Sequence, residues 1–201
     1  MPAPSTPIGS VCVYCGSSNA ADPRFLEAAA AFGRILARED VRLVYGGGGV
    51  GLMGACARAV HGAGGRVLGV MPDFLRQNEV LYDEVETIVV RSMHERKALM
   101  FEEADAFAVF QGGIGTLEEV VELLSWRRLG LHRKPIVFFN PDGFWDPLFA
   151  LMRHTVDHKL TPPGFLDIWG VALEVEALLP TMRHMAVDSP EAPPLVIQRL
   201  M

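Results

Sequence analysis

Residues 106–124 read AFAVFQGGIGTLEEVVELL. A short apolar run is followed by a glycine-rich turn and then by apolar residues at helical spacing. This order predicts a buried strand, a tight loop and a helix, which form one unit of a parallel α/β sheet. In such sheets ligands bind at the carboxyl ends of the strands, so we expect this loop to face a binding crevice.

The same alternation of apolar runs and helical periods extends over most of the chain. It predicts an α/β fold with a doubly wound, Rossmann-like parallel sheet flanked by helices in a single domain. We expect a domain at 10–185, a flexible tail at 1–9 and a second tail at 186–201. The predicted strands are 10–14, 41–45, 66–70, 85–90, 106–110 and 135–139. The predicted helices are 23–38, 50–62, 92–103 and 116–129, one starting near 144, and a last one at 171–185.

Composition limits the functional classes. The chain has 201 residues, half of them hydrophobic, which suits one well-buried core. The net charge is −6 and the basic residues are scattered, so no nucleic-acid partner is expected. Neither a signal peptide nor an apolar stretch of membrane-spanning length is present, so we expect a cytoplasmic protein without a membrane partner.

Cys12 and Cys15 form a C-x-x-C pattern within the first predicted strand. An odd spacing along a strand places the two side chains on opposite faces of the sheet. No second Cys or His pair completes a metal-binding set, so we interpret these residues as buried thiols and expect no metal. With Cys56 the cysteine count is odd, which fits a reducing compartment.

Four loops that follow predicted strands should face the same crevice, at 16–18, 46–51, 92–97 and 111–116. We call residues 46–51 the first glycine loop and residues 112–116 the second glycine loop. Glycine lets a backbone approach a ligand closely, and the N–H groups that open the following helix favour an anion. Both loops are therefore candidate phosphate sites, and the alternative is that they only connect strand to helix.

Two established nucleotide motifs do not fit. The first glycine loop satisfies G-x-G-x-x-G, but the next predicted strand, 66–70, does not end in the acidic residue that dinucleotide binding requires. A G-x-x-x-x-G-K-[ST] sequence, which would bind a nucleoside triphosphate, is not present.

Thr116 and Glu119 admit two interpretations. They match the S/T-x-x-E capping box, in which the glutamate only satisfies an amide at the start of a helix. Alternatively, Glu119 points away from the core into the crevice. The predicted core stripe consists of Leu117, Val120, Val121 and Leu124. Leu123 and Trp126 would then share the face of Glu119, which predicts a subunit contact and a homodimer.

Arg96 and Lys97 lie on one face of the helix that begins near Ser92, between Met93 and Met100. Cations on such a face need a partner. The alternative is that both side chains extend along the helix edge into solvent. Ser92 and Glu95 form a second capping box, to which we assign a structural role.

Three ordered motifs, at 45–54, 93–98 and 112–119, resemble those of the LONELY GUY family. These proteins are cytokinin riboside 5′-monophosphate phosphoribohydrolases, and they are often mislabelled lysine decarboxylases. The resemblance extends from about Val11 to Pro180. The family pattern has proline where this sequence has Gln111, and we expect that difference to alter loop rigidity rather than chemistry.

The resemblance implies hydrolysis of the bond between ribose and base in a nucleoside 5′-monophosphate, such as AMP or an N6-modified form. It assigns Glu119 to the ribose and Arg96 to the departing base, and it requires neither cofactor nor metal. It implies that the phosphate binds the second glycine loop with help from Gly47 and Gly48, and that Lys97 buttresses the site. The implied substrate-binding residues are Gly47, Gly48, Met93, Lys97, Gly112, Gly113, Ile114, Gly115 and Thr116.

Two other functions fit parts of this pattern. A noncatalytic carrier of a nucleotide or of the molybdenum cofactor could use the same loops, although the presence of both Arg96 and Glu119 favours the enzyme. Pyridoxal chemistry, which lysine decarboxylation uses, needs a lysine for the Schiff base. Lys134 and Lys159 lie away from the crevice loops and Lys97 belongs to the arginine motif, so decarboxylation is rejected.

Overall fold

A computed structural model describes residues 8–76 and 80–187. Its seven strands form one sheet in the order β4-β3-β2-β1-β5-β6-β7, and every neighbouring pair is parallel. The predicted doubly wound α/β fold is confirmed. The strands are β1 (Ser10–Tyr14), β2 (Arg42–Tyr45), β3 (Val67–Pro72), β4 (Glu86–Val90), β5 (Ala106–Val109), β6 (Ile136–Phe139) and β7 (Gly170–Ala172).

Helices connect the strands and cover both faces of the sheet. They are α1 (Pro23–Arg38), α2 (Gly51–Gly62), α3 (Asp73–Arg76), α4 (Met93–Glu102), α5 (Ile114–Arg128), α6 (Asp146–Asp157) and α7 (Leu178–Val187). Short 3-10 helices span Pro163–Asp167 and Val175–Ala177. Asp22 caps α1 by accepting a hydrogen bond from the Arg24 N–H, and Pro23 follows as the first helical residue, where proline costs no hydrogen bond.

The core has two layers, one on each face of the sheet. Apolar residues of α1, α2 and α7 pack against one face, and those of α4, α5 and α6 pack against the other. Cys12 belongs to the second layer and Cys15 to the first, as their odd spacing predicted. Both thiols and Cys56 are free and buried, and burial raises the pKa of each, so they remain protonated.

The chain after β6 differs from the prediction. The predicted helix at 171–185 is wrong at its start, because β7 occupies Gly170–Ala172 and pairs with β6. A helix begins only at Leu178 and continues to Val187. Three residues are too few to show the alternation that identifies a strand, so β7 left no clear pattern in the sequence.

The buried stripe of α5 also differs from the prediction. Its inward face consists of Thr116, Glu119, Val120, Leu123 and Leu124, which follow helical spacing. Leu123 is therefore a core residue, and Val121 is 47% exposed. Trp126 packs edge to face against Phe101 at a centroid distance of 5.2 Å. Leu123 therefore cannot take part in the expected subunit contact, because it is buried within its own subunit, whereas Trp126 is half-buried against Phe101.

The predicted tails fall mostly outside the described residues. At the start, Ile8 is buried and the Gly9 N–H donates to the Asp105 carboxylate at 2.9 Å, so these two residues belong to the folded domain. Within residues 8–76 and 80–187, no helix combines the length and apolar character needed to cross a membrane.

Candidate active site

A cavity of about 510 Å³ opens at the carboxyl ends of the central strands. Its walls come from the loops after β1 and β5 and from α2, α3, α4 and α5. The lining residues are Cys15, Gly16, Ser17, Ser18, Met53, Phe74, Leu75, Met93, Arg96, Gly113, Ile114, Gly115, Thr116, Glu118 and Glu119. Ligand sites of α/β sheets occur at this edge, and the volume is within the range of small-molecule pockets.

The second glycine loop opens α5 toward this cavity. Gly113 caps the helix without a side-chain hydrogen bond, and the first helical bond runs from the Leu117 N–H to the Gly113 carbonyl. The N–H groups of residues 114–116 precede that bond, so the helix gives them no partner. A Cβ on Gly112 would lie 2.1 Å from Thr116 Oγ1, whereas Gly113 and Gly115 face open space. Free amides at a helix N-terminus form an anion site.

The first glycine loop uses its N–H groups within the protein. The Gly49 N–H donates to the Val80 carbonyl at 2.6 Å. The Gly51 N–H donates to Asn19 Oδ1 at 3.0 Å, which leaves little of the α2 N-terminus for a ligand. Gly47 (φ +80°) packs near Met71 and Gly48 pairs with Leu81, and neither is among the cavity-lining residues.

The first glycine loop instead holds Arg96. The Gly46 carbonyl accepts a hydrogen bond from Arg96 Nη2 at 3.0 Å, and a Cβ on Gly46 would lie 1.9 Å from that nitrogen. Arg96 is only 6% exposed, so the alternative in which it extends into solvent is wrong. Its Nη1 contacts Met93 Sδ at 3.8 Å, and its buried Nε has no protein partner. Arg96 therefore retains donors for a ligand in the cavity.

Glu119 is the buried carboxylate of the cavity, at 6% exposure. Burial raises its pKa to about 7, and Arg96 opposes that rise. The capping-box interpretation of Glu119 is wrong, because α5 starts at Ile114 and Thr116 lies inside the helix. A carboxyl that exchanges its proton near neutral pH is suited to acid–base chemistry.

Lys97 is placed differently from Arg96. Its ammonium group hydrogen-bonds Glu118 and lies 3.0 Å from Glu122 Oε2, and it is not among the cavity-lining residues. Ser92 caps α4 by accepting from the Glu95 N–H, and the Glu95 carboxylate accepts from the Arg91 N–H. The structural role assigned to Glu95 is confirmed, and its carboxylate acts one residue before the cap rather than on the cap itself.

Other candidate chemistry has no assembled site here. Lys134 donates to the Phe101 carbonyl at 2.6 Å and lies over the Phe101 ring. Within the part of the chain that the structure describes, no three His, Cys, Asp or Glu residues are grouped closely enough to hold a metal ion.

Sequence reasoning placed Gly46 in the first glycine loop but missed its contact with Arg96, and it missed one wall of the cavity. Gly46 directly follows a strand, and that position was the only available signal. Met53, Phe74 and Leu75 form the apolar part of the cavity wall. They are ordinary apolar residues of helices, so nothing in the sequence distinguished them from core residues.

The sheet, the open N-terminus of α5 and the buried Arg96 and Glu119 define a Rossmann-like α/β protein whose crevice has the features of an anion site. Residues 53–182 match the family described as "Possible lysine decarboxylase". The chain is 44% identical over 187 residues to a probable cytokinin riboside 5′-monophosphate phosphoribohydrolase of Oryza sativa subsp. japonica, covering 92% of this chain and 75% of the relative. The chain therefore belongs to the family of this description, which includes the cytokinin riboside 5′-monophosphate phosphoribohydrolases, and the resemblance inferred from its motifs is confirmed.

Other relatives agree with this assignment. A cytokinin riboside 5′-monophosphate phosphoribohydrolase of Arabidopsis thaliana is 41% identical over 189 residues, which cover 94% of this chain and 79% of the relative. Among solved structures, a molybdenum cofactor binding protein of Rippkaea orientalis is similar with a TM-score of 0.67 and 22% identity, covering 90% of this chain and 99% of that one. The likeness at this low identity shows the shared fold.

Proposed function

We propose that this protein hydrolyses the N-glycosidic bond of adenosine 5′-monophosphate or its N6-modified forms. The products are the free base, adenine or a cytokinin, and ribose 5-phosphate. The observation that carries the proposal is the meeting of Arg96, Glu119 and the open N-terminus of α5 at one cavity. The family relatives bear the name of this activity.

The residues divide the reaction between them. When the bond from C1′ to the base nitrogen breaks, its electron pair stays with the base and positive charge develops on the sugar. The Glu119 carboxylate stabilises that charge and orients a water molecule. The water oxygen bonds to C1′, and its proton passes to Glu119. The Arg96 guanidinium, held by the Gly46 carbonyl, stabilises the negative charge on the departing base. The base then takes up a proton from solvent, and Glu119 releases to solvent the proton that it received from the water molecule.

The phosphate binds the N–H groups of residues 114–116, with Gly112 and Gly113 shaping the turn. Met93 lines the cavity beside Arg96 and contacts the nucleotide. Gly47 and Gly48 act indirectly, by directing the backbone that holds Arg96. The chain and water supply every group in this scheme, and we propose that neither cofactor nor metal takes part.

Base release tests the proposal directly. Purified protein is incubated with AMP and with isopentenyladenosine monophosphate, and free base is followed by chromatography. We expect release from at least one nucleotide and a fall of about 10²–10⁴-fold in the rate for Glu119→Gln, because the carboxylate is lost while the shape is kept. Adenosine, which lacks the phosphate, is the control and should react poorly. No base from either nucleotide would contradict the proposed activity.

The carrier alternative makes the opposite prediction. A noncatalytic nucleotide or molybdenum-cofactor carrier would bind its ligand tightly without turnover, and Glu119→Gln would leave ligand retention nearly intact. The solved molybdenum-cofactor proteins share the fold at 19–22% identity, which carries no statement about this chain's ligand. The buried Glu119 with a pKa of about 7 favours the enzyme.

We also propose a homodimer, now on a different face of α5. Ile114, 84% exposed, and the exposed Val121 lie seven residues apart, on one side of the helix. A second copy of the chain that packed on this side would bury both side chains next to the cavity. Sedimentation at micromolar concentration should give a dimer, and a monomer would contradict the proposal.

A cytoplasmic location is proposed as well. Cys12, Cys15 and Cys56 are unpaired. Free thiols persist most readily in a reducing compartment. Cell fractionation should place the protein with the cytosolic fraction, and recovery from an oxidising compartment would contradict this location.

A further inference from the structure

Glu119 lies in a run of acidic residues on α5. Burial is the largest cause of its raised pKa, and the charges of Glu118 and Glu122 raise it further. The proposed hydrolysis needs Glu119 in its ionised form. Two more negative charges on the same helix oppose ionisation, so a positive charge nearby is required to balance them.

Lys97 supplies a positive charge at the right place. It extends from α4 to α5, where it hydrogen-bonds Glu118 and lies 3.0 Å from Glu122 Oε2. The Lys97 side chain is 11% exposed, so solvent screens this interaction less than it screens a surface ion pair. Burial lowers the pKa of Lys97, but the hydrogen bonds to Glu118 and Glu122 together with their negative charges raise it overall, so Lys97 stays charged.

We propose that Lys97 is a positioning residue that joins α4 to α5 through Glu118 and Glu122 and balances the negative charge around Glu119. Arg96 immediately precedes Lys97 on α4, and Glu119 immediately follows Glu118 on α5. The clamp formed by Lys97, Glu118 and Glu122 therefore connects the two helices that carry the proposed catalytic pair. The inference rests on the proposed function in assigning the reacting carboxylate to Glu119, and it moves Lys97 from substrate binding to the support of that carboxylate.

Two positive charges lower the pKa of Glu119, that of Arg96 and, to a smaller extent, that of Lys97, and the groups on the β1 side provide no such balance. Three ionisable groups lie on the side of β1, and they are Cys12, Tyr14 and Cys15. Burial raises the pKa of each, and the charge of Glu119 raises it further, so all three are neutral at pH 7. Arg96 opposes the rise in the pKa of Glu119 from α4, but its guanidinium faces the cavity and is assigned to the base. Lys97 is the cation that contacts the flanking carboxylates.

Three variants test the charge balance through the acid limb of the kcat–pH profile, which reports the ionisation of Glu119. Lys97→Met keeps the length of the side chain and removes the charge, so the midpoint should rise by about 0.5–1 unit. Glu122→Gln removes a negative charge and leaves Lys97, so the midpoint should fall. The double variant should return toward the wild-type midpoint, which a loss of packing alone would not produce.

Arg42→Met is the matched control. Arg42 donates to the Glu103 carbonyl at 3.0 Å and pairs with the Glu103 carboxylate, so it holds the end of α4, although its side chain is 28% exposed and that of Lys97 is 11% exposed. This change loosens α4 without altering the charge next to Glu119. The midpoint should stay at its wild-type value, and a shift equal to that of Lys97→Met would overturn the proposal.

A carboxyl carbon NMR titration separates this inference from the proposed function. The Glu119 resonance is assigned by its loss in Glu119→Gln, and its midpoint is measured in each variant without any turnover. If wild-type protein releases no base but the NMR midpoints shift as expected, the proposed function fails and the charge balance stands. If Lys97→Met and Glu122→Gln both titrate as the wild type does, the charge balance is contradicted whatever the activity.

Discussion

The two glycine loops are similar in sequence but make different contacts in the structure. Both follow a central strand and both open a helix. In the second glycine loop, the amides at the start of α5 face a cavity. In the first, the corresponding amides bond Val80 and Asn19, and the Gly46 carbonyl holds Arg96. Glycine thus leaves the backbone open to a cavity in one loop and permits the close approach of the protein's own arginine in the other.

This difference has a general consequence for interpreting glycine-rich turns. A missing side chain shows only that something lies close to the backbone. What lies there is decided by whether the amides that follow have protein partners, because a helix N-terminus binds an anion only when its N–H groups are free.

Gly46→Ala tests the role of the first glycine loop and should have the largest effect. The new Cβ would lie 1.9 Å from Arg96 Nη2, so the long arginine side chain would have to move away from its position. We expect kcat to fall about 10²–10³-fold, as for the loss of one preorganised charge-stabilising donor, while the fold is kept. Gly62→Ala, at the end of α2 with nothing within 4 Å of the new Cβ, is the matched control. Inhibition by inorganic phosphate should be unchanged in both variants.

Gly112→Ala should produce the complementary defect. Its Cβ would lie 2.1 Å from Thr116 Oγ1, so the turn that presents the α5 amides has to shift. We expect KM for AMP and the inhibition constant of inorganic phosphate to rise about tenfold, a loss of about 1.4 kcal/mol in binding. If Gly46→Ala weakened phosphate inhibition as much as Gly112→Ala does, the two loops would share one role and the distinction between them would be wrong.

The sequence predicted the fold well because its signal is local. Each predicted strand before residue 140 overlaps an observed one, and α1 has the predicted bounds. The second glycine loop and Arg96 were identified in the same way, from neighbours along the chain. Local pattern could not show that Val80 and Asn19 occupy the first loop's amides, because those partners are distant in sequence.

The buried stripe of α5 shows a second reason for failure. Hydrophobicity alone selected Val121 for the core, but its side chain is exposed, whereas Leu117 packs against the core as predicted and the structure also buries the polar Thr116 and Glu119. A polar residue that faces a cavity interrupts the apolar stripe, so the periodicity points to the wrong face where the helix carries the site.

Gln111→Pro should have the smallest effect. It tests how far the second glycine loop depends on the residue that precedes it. Gln111 stands where the family pattern has proline. Its buried Nε2 donates to the Phe139 carbonyl at 3.1 Å, and its buried Oε1 has no protein partner. Proline removes one hydrogen bond together with one unsatisfied acceptor, so urea denaturation should show a change of about 1 kcal/mol or less.

The Gln111 backbone carbonyl, which accepts from the Gly16 N–H at 2.9 Å, is retained in proline and keeps the loops after β1 and β5 together. The value of kcat/KM should therefore stay within about threefold of wild type, since a difference of that size is under 1 kcal/mol. Phosphate inhibition should be equally unaffected. If kcat/KM or phosphate inhibition fell as much as in Gly112→Ala, the Gln111 side chain would set the geometry of the α5 amides through its hydrogen bond to β6. The second glycine loop would then depend on a partner distant in sequence, as the first one does.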